Sequence, residues 1–189
     1  MKHMLAVILL SVTVGLTSAR NISDTTRAAA RSAETCGDPA HALPFYRIYA
    51  ASITEHFYTP DVIRVSDSIR NRAYNLENVA AMVFVTQEES TVPFYRLVCG
   101  PPAHNFWTIS TTERDDSIKK GCTLAPAAQA YIYPTQICGS IPFYRADNVA
   151  IADSLYTTSE SEQLDFIANQ GFTDKGIAGY VLPAGVACA

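Results

Sequence analysis

Three arginines and three aromatic residues recur along this chain at one spacing, and they are the side chains best placed to do chemistry. Arg47, Arg96 and Arg145 each end a Pro-Phe-Tyr-Arg phrase, and each phrase begins 49 residues after the last. Tyr58, Trp107 and Tyr156 recur at the same interval. Arginines so disposed could ring an acidic group, or could pair with carboxylates of the fold itself, for which Glu113, Glu162, Asp67, Asp116 and Asp165 are the available partners. The aromatics invite a different reading. An exposed ring beside hydrogen-bonding groups stacks on the apolar face of a sugar, and Glu55, His56, His104, Asn105 and Asp153 lie next to the rings in sequence to hold hydroxyls. Trp107 offers the largest apolar surface, so its segment is the expected best site. The bland alternative is that the rings are cross-strand pairs within a sheet.

Other catalytic or metal-binding patterns are absent. There is no nucleophile elbow, no His-Glu-x-x-His and no phosphate-binding glycine loop. His41, His56 and His104 have no metal-ligand spacing, and Glu55-His56 is the nearest approach to a general base. No catalytic residue, metal or cofactor is therefore expected, and the chain reads as a non-enzymatic protein.

The elements that must position these residues follow from the repeat. The copies run 43–91, 92–140 and 141–189, with Thr59/Thr108/Thr157, Asp67/Asp116/Asp165 and Ile69/Ile118/Ile167 also shared. Each copy opens with an aromatic, β-branched strand such as Pro44 to Tyr49, then a second strand such as His56 to Thr59, a hairpin's loop away. Alternation predicts Phe57, Phe106 and Leu155 inward and Tyr58, Trp107 and Tyr156 on the opposite face. Ser110-x-x-Glu113 and Ser159-x-x-Glu162 are capping boxes, each opening a helix of roughly ten residues that closes at Gly121 and Gly171. In the first copy Asp61 can cap, but Arg64 stands where the others have Glu. The three Ile are the expected helix anchors. A last strand (Ala81 to Phe84, Ala130 to Tyr133, Gly179 to Leu182) opens on a small residue, predicting close backbone approach.

Three such units without polar end caps predict a mainly β fold with short helices: a closed, threefold pseudosymmetric barrel of β-trefoil type, or alternatively a small propeller-like ring. Ahead of this 43–189 domain, residues 1–19 have the layout of a signal peptide: a basic start, an apolar Leu5–Leu16 stretch too short to span a bilayer, and Ala19 at the cleavage point. Residues 20–42 read as a loosely ordered lead-in carrying the glycosylation sequon at Asn21. The expected product is secreted. Loss of Lys2 with the leader leaves 13 basic residues against 18 acidic ones. That balance argues against nucleic acid or anionic membrane as partner. Five cysteines (Cys36, Cys99, Cys122, Cys138, Cys188) in an oxidising compartment imply two bridges and one thiol left over. A Cys36–Cys188 bridge tying the domain's ends is one option among several.

The phrases Pro-Phe-Tyr-Arg, Phe-Tyr-Thr or Phe-Trp-Thr, Ser-x-x-Glu and Ala-Gly-Tyr-Val-Leu-Pro together resemble a secreted repeat family of unknown function found in fungi and bacteria. Its unit reads Pro-Leu-Tyr-Arg, Asp-His-Phe-Tyr-Thr-Thr, a Glu and Gly-Ile-Ala-Gly-Tyr-Val, and the likeness runs from Cys36 to Pro183. The Asp-His pair is incomplete here, as Glu55-His56, His104-Asn105 and Asp153-Ser154. Such units resemble modules attached to secreted hydrolases. That resemblance implies surface or glycan binding and no assigned activity. The expected protein is thus a monomeric extracellular binding module for glycan or polysaccharide. The alternatives are a protein-binding module such as a protease inhibitor, using the loops Thr86 to Ser90 or Cys99 to His104, and a structural wall or matrix protein.

Overall fold

The computed structural model describes residues 35–101, 103–126 and 130–185; the expected signal peptide, the sequon at Asn21, and Cys188 lie outside them. Each Pro-Phe-Tyr-Arg phrase sits in the first strand of an antiparallel hairpin. The pairs are β1 (Ala42–Ala50) with β2 (Glu55–Thr59), β4 (Val92–Cys99) with β5 (His104–Thr108), and β8 (Ile141–Asn148) with β9 (Asp153–Thr157). The three hairpins share one register: Tyr46 opposite Thr59, Tyr95 opposite Thr108, Tyr144 opposite Thr157.

A helix follows each hairpin: α1 (Val62–Asn71), α2 (Thr111–Lys119) and α3 (Glu160–Asn169). The threonine shared by all copies explains the turn between them. Thr59, Thr108 and Thr157 each accept, through Oγ1, the backbone N–H of the helix's capping residue (Asp61, Ser110, Ser159). The capping residues in turn accept from the third helical residue at 3.1–3.2 Å. A reciprocal box does not form, because the N–H that Glu113 or Glu162 would take is already held by the threonine. Both glutamates reach away from their helices instead.

The remaining strands are β3 (Asn75–Phe84), β6 (Thr123–Leu124), β7 (Ala130–Ile132) and β10 (Thr173–Val181). The strands form two antiparallel sheets. One runs β2-β1-β3-β7-β4-β5 with β6 also on β4, and the other is β10-β8-β9. This corrects the expected closed barrel: among the described residues none is found, nor a propeller-like ring of blades. The sheets meet through two single-residue bridges, Met82 with Leu182 and Tyr133 with Tyr180, rather than through ladders. The strands approach closely there, and Ile132 packs against the backbone of Gly179. A Cβ on Gly179 would lie 2.5 Å from Ile132 Cδ1, and Ala81 and Ala130 are fully buried at the corresponding places.

The core sits between the hairpins, where Phe45, Phe94 and Phe143 pack with Tyr58, Trp107 and Tyr156. Their ring centroids lie 5.1–6.4 Å apart, mostly tilted or edge-on. The outer faces are covered as well. Under α1, Ile48, Phe57, Val65 and Tyr74 form a satellite cluster, and beside α3, Ala146, Leu155 and Phe172 form another. Alternation thus fails to separate wet from dry: the side that period-2 reading left to solvent forms the central core, and helices roof the other side. Of the expected isoleucine anchors, Ile167 packs against the cluster beside α3, but Ile69 and Ile118 are exposed, and α1 instead buries Val65 and Ser68.

Two disulfides staple this arrangement, Cys36–Cys138 and Cys99–Cys122. The first rules out a Cys36–Cys188 bond. The end of the lead-in is drawn against the loop after β7, where the Gly37 N–H donates to Tyr133 Oη at 3.1 Å. Among the described residues no helix is long and apolar enough to cross a membrane.

Candidate functional site

Tyr58, Trp107 and Tyr156, expected on an open face, are 0–1% exposed. They cannot stack on a sugar. Their polar atoms serve the backbone instead. The Tyr58 hydroxyl donates to the Tyr156 carbonyl at 3.0 Å and accepts its N–H at 2.8 Å. The Tyr156 hydroxyl does the same for Trp107, at 2.6 and 2.7 Å. An indole N–H can donate but not accept, so Trp107 cannot continue the chain of contacts, and its Nε1 is buried with no hydrogen-bond partner among the described residues.

The polar residues expected to hold hydroxyls are brought together, but they bind one another. Three pairs join the second strands of the hairpins. His56 Nδ1 lies 2.6 Å from Asp153 Oδ2, and the His56 backbone N–H reaches Oδ1 at 2.7 Å. His104 Nε2 lies 2.8 Å from Ser154 Oγ. Ser154 gives its one proton to Asp147, so His104 must be the donor. Burial, offset by Asp147, holds the His104 imidazole below its ordinary range. The third pair is Asn105 Nδ2 donating to Glu55 Oε1 at 2.6 Å, while Tyr74 Oη donates to Glu55 Oε2. His56 and Asp153, nearly inaccessible, are structural. Glu55 and Asn105 also face a cleft.

The arginines divide two against one. Arg47 reaches Glu162 at 2.8 Å, and its Nε lies 2.8 Å from Glu77, too far off the N–H direction for a hydrogen bond. Arg145 binds Glu113 at 2.9 Å and holds Asp147 with two nitrogens at 2.6–2.8 Å, lying over the Phe106 ring at 4.8 Å. Burial opposes both charges, yet the surrounding tyrosine and carboxylate fields outweigh it and hold both guanidinium groups above their ordinary range. Asp67, Asp116 and Asp165, offered as partners by the sequence, are taken by Asn71, Lys119 and Asn169 of their own helices.

Arg96 has no such partner. Its side chain lies over Phe57, 5.3 Å from the ring centroid, is 8% exposed, and makes no ion pair or side-chain hydrogen bond among the described residues. Its Nε is buried and unsatisfied. Each place that supplies a carboxylate to the other two arginines holds something else here. Counting by 49, Arg64 stands for Glu113 and Glu162, Val98 for Asp147, and Pro126 for Glu77. Burial first, then the charge of Arg64, holds the Arg96 guanidinium below its ordinary range, against the pull of Glu55.

Over Arg96 opens a cleft of about 400 Å³. Phe57, Tyr74 and Val98 supply apolar surface, and Glu55, Arg64, Arg72, Arg96, Ser68 and Asn105 supply polar groups. Arg72 is loosely paired with Asp67 at 3.4 Å, and Glu55 is held by Tyr74 and Asn105. The sequence reading missed Arg64, Arg72, Tyr74 and Val98. The broken capping box at Arg64 was the available signal, although its consequence lies across a junction in another copy. Among the described residues no group of three His, Cys, Asp or Glu could hold a metal ion.

The described residues form a mainly β, disulfide-linked domain in which a cleft opens over Arg96 while Arg47 and Arg145 are ion-paired. Residues 44–182 match the family described as a domain of unknown function (DUF5648), and the chain belongs to that family. No curated protein and no solved structure matches it.

Proposed function

We propose that this is a secreted, non-enzymatic binding module built from three equivalent units, and that it takes carbohydrate in the cleft between α1, β2 and the β4–β5 hairpin. The identical hairpin registers and the 49-residue interval support the triplicate reading. A single observation carries the functional one. One junction of three is left as a cleft of about 400 Å³. Within it apolar surface from Ile53, Val98 and the rims of Phe57 and Tyr74 lies beside donors and acceptors on Arg96, Asn105, Ser68 and Glu55. Saccharides need that mixture, apolar surface for C–H groups and fixed polar groups for hydroxyls. Trp107, Tyr58 and Tyr156 take no part. The inhibitor alternative has less behind it, since the Cys99 to His104 loop is a short hairpin link tied at its base by the Cys99–Cys122 bond.

Methyl-resolved NMR tests the proposal. Titration with oligosaccharides that score on a glycan array should move the Ile53, Val98 and Ala103 methyl signals, which line the cleft. The signal of Val149, 88% exposed elsewhere, should stay put. An array without hits, or shifts that avoid the cleft, would reject it.

A further inference from the structure

We infer that the cleft is an oxyanion site in which the carboxylate or sulfate of an acidic saccharide completes the pairing of Arg96 that the chain itself leaves unmade. This deepens the glycan reading and rests on it for the source of the anion, though not for the anion site. The comparison within one molecule carries the argument. Two arginines in corresponding places are each satisfied by a glutamate from a neighbouring helix, at 2.8 and 2.9 Å. At the third place the glutamate is replaced by a second cation, Arg64, while the buried guanidinium stays.

A buried, unpaired guanidinium is costly and rare. An arginine kept only for packing would be served better by the carboxylate its counterparts have. Arg64 also stands at the third residue of α1, where the helix dipole disfavours a cation. Together Arg96, Arg64 and Arg72 present three guanidinium forks to one cleft, and these match the planar oxygens of carboxylate or sulfate. Glu55 is the facing anion. Both its oxygens already accept, from Asn105 and Tyr74, so it neutralises part of the cleft's charge without occupying Arg96. It would repel an acidic group placed on its own side, which directs the ligand's anion toward Arg64 and leaves the hydroxyls for Glu55 and Asn105.

The test is calorimetric titration of four probes (trigalacturonate, a heparin-derived tetrasaccharide, cellotriose and inorganic sulfate) into the wild type, Arg64→Glu and Arg96→Gln. Arg64→Glu supplies the internal carboxylate found at the other two junctions. Arg96→Gln removes the cation without adding an anion, and serves if the first variant folds poorly. At least one acidic saccharide should bind the wild type tenfold or more tighter than cellotriose, and both variants should abolish that preference. Equal binding of acidic and neutral probes, or a preference that survives both variants, would overturn the oxyanion site while leaving the glycan reading intact. Sulfate binding as tightly as either acidic saccharide, and lost in the variants, would uphold the anion site and overturn its saccharide source. No binding by any probe would overturn both.

Discussion

Two junctions of this molecule are locked by ion pairs and the third is not, although the same guanidinium stands at each. Arg47 and Arg145 lie within 2.8–2.9 Å of glutamates from neighbouring helices, whereas Arg96 faces Arg64 across open space. Hairpin register, threonine turn and helix start agree at all three, although the strand after α2 is broken into β6 and β7 where β3 and β10 are continuous. What sets the Arg96 place apart is its side chains: Arg64 stands where both other arginines have a Glu, Val98 where Arg145 has Asp147, and Pro126 where Arg47 has Glu77. A cleft can thus be left open over a buried arginine by withholding its partners.

The sharpest way to break this contrast is to delete the arginines one at a time. Arg145→Ala should cost about 3–5 kcal/mol, because it strands Asp147 with its charge unpaired in a nearly dry site. Arg96→Ala removes a cation with no partner and should change stability by no more than about 1 kcal/mol, chiefly through the lost contact with Phe57. Urea unfolding of both variants checks this, and equal losses would mean that Arg96 is paired after all.

A smaller effect concerns acid. Burial would raise the Glu162 carboxyl, but hydrogen bonds from Arg47 and Thr157 outweigh it and hold the group below the ordinary glutamate range. A carboxyl depressed in the folded state stabilises above its unfolded pKa, and that stability is lost as pH falls through the folded value. Glu162→Gln should therefore flatten the decline in stability below about pH 4.5 by a few tenths to about 1 kcal/mol. His104 acts in a higher window: its imidazole is held down by burial, so stability falls as pH drops below its ordinary value of 6.5. The Glu162 variant should leave that limb unchanged. Melting curves between pH 3 and 8 separate the two.

Local features of the fold were legible in the sequence, while its surfaces were not. Pro-Phe-Tyr-Arg marked the first strand, Phe-Tyr-Thr the second, and Ser110 and Ser159 the helix starts, since these depend on backbone preferences a few residues long. Glu113 and Glu162 were named among possible arginine partners. Which face of each strand meets water was misjudged, because burial on both sides depends on helices packed from elsewhere in the chain. Tyr58, Trp107 and Tyr156 therefore belong to the core, and Phe57 moves to the helix-covered side. The five polar candidates suffered likewise. Sequence adjacency suggested a ligand, and the fold uses His56 with Asp153, and His104 with Ser154, as ties between hairpins. The cleft joins residues far apart in the chain, so only Arg64, standing where Glu113 and Glu162 recur, could have signalled it.

One substitution addresses the central claim directly. Arg64→Glu should give Arg96 the partner that Arg47 and Arg145 possess, and a charge-assisted hydrogen bond of this kind contributes about 1.5–3 kcal/mol. In the absence of any ligand the variant should melt about 3–12 °C above the wild type. A melting temperature unchanged or lowered would contradict the account, for it would show that Arg96 was never short of a carboxylate.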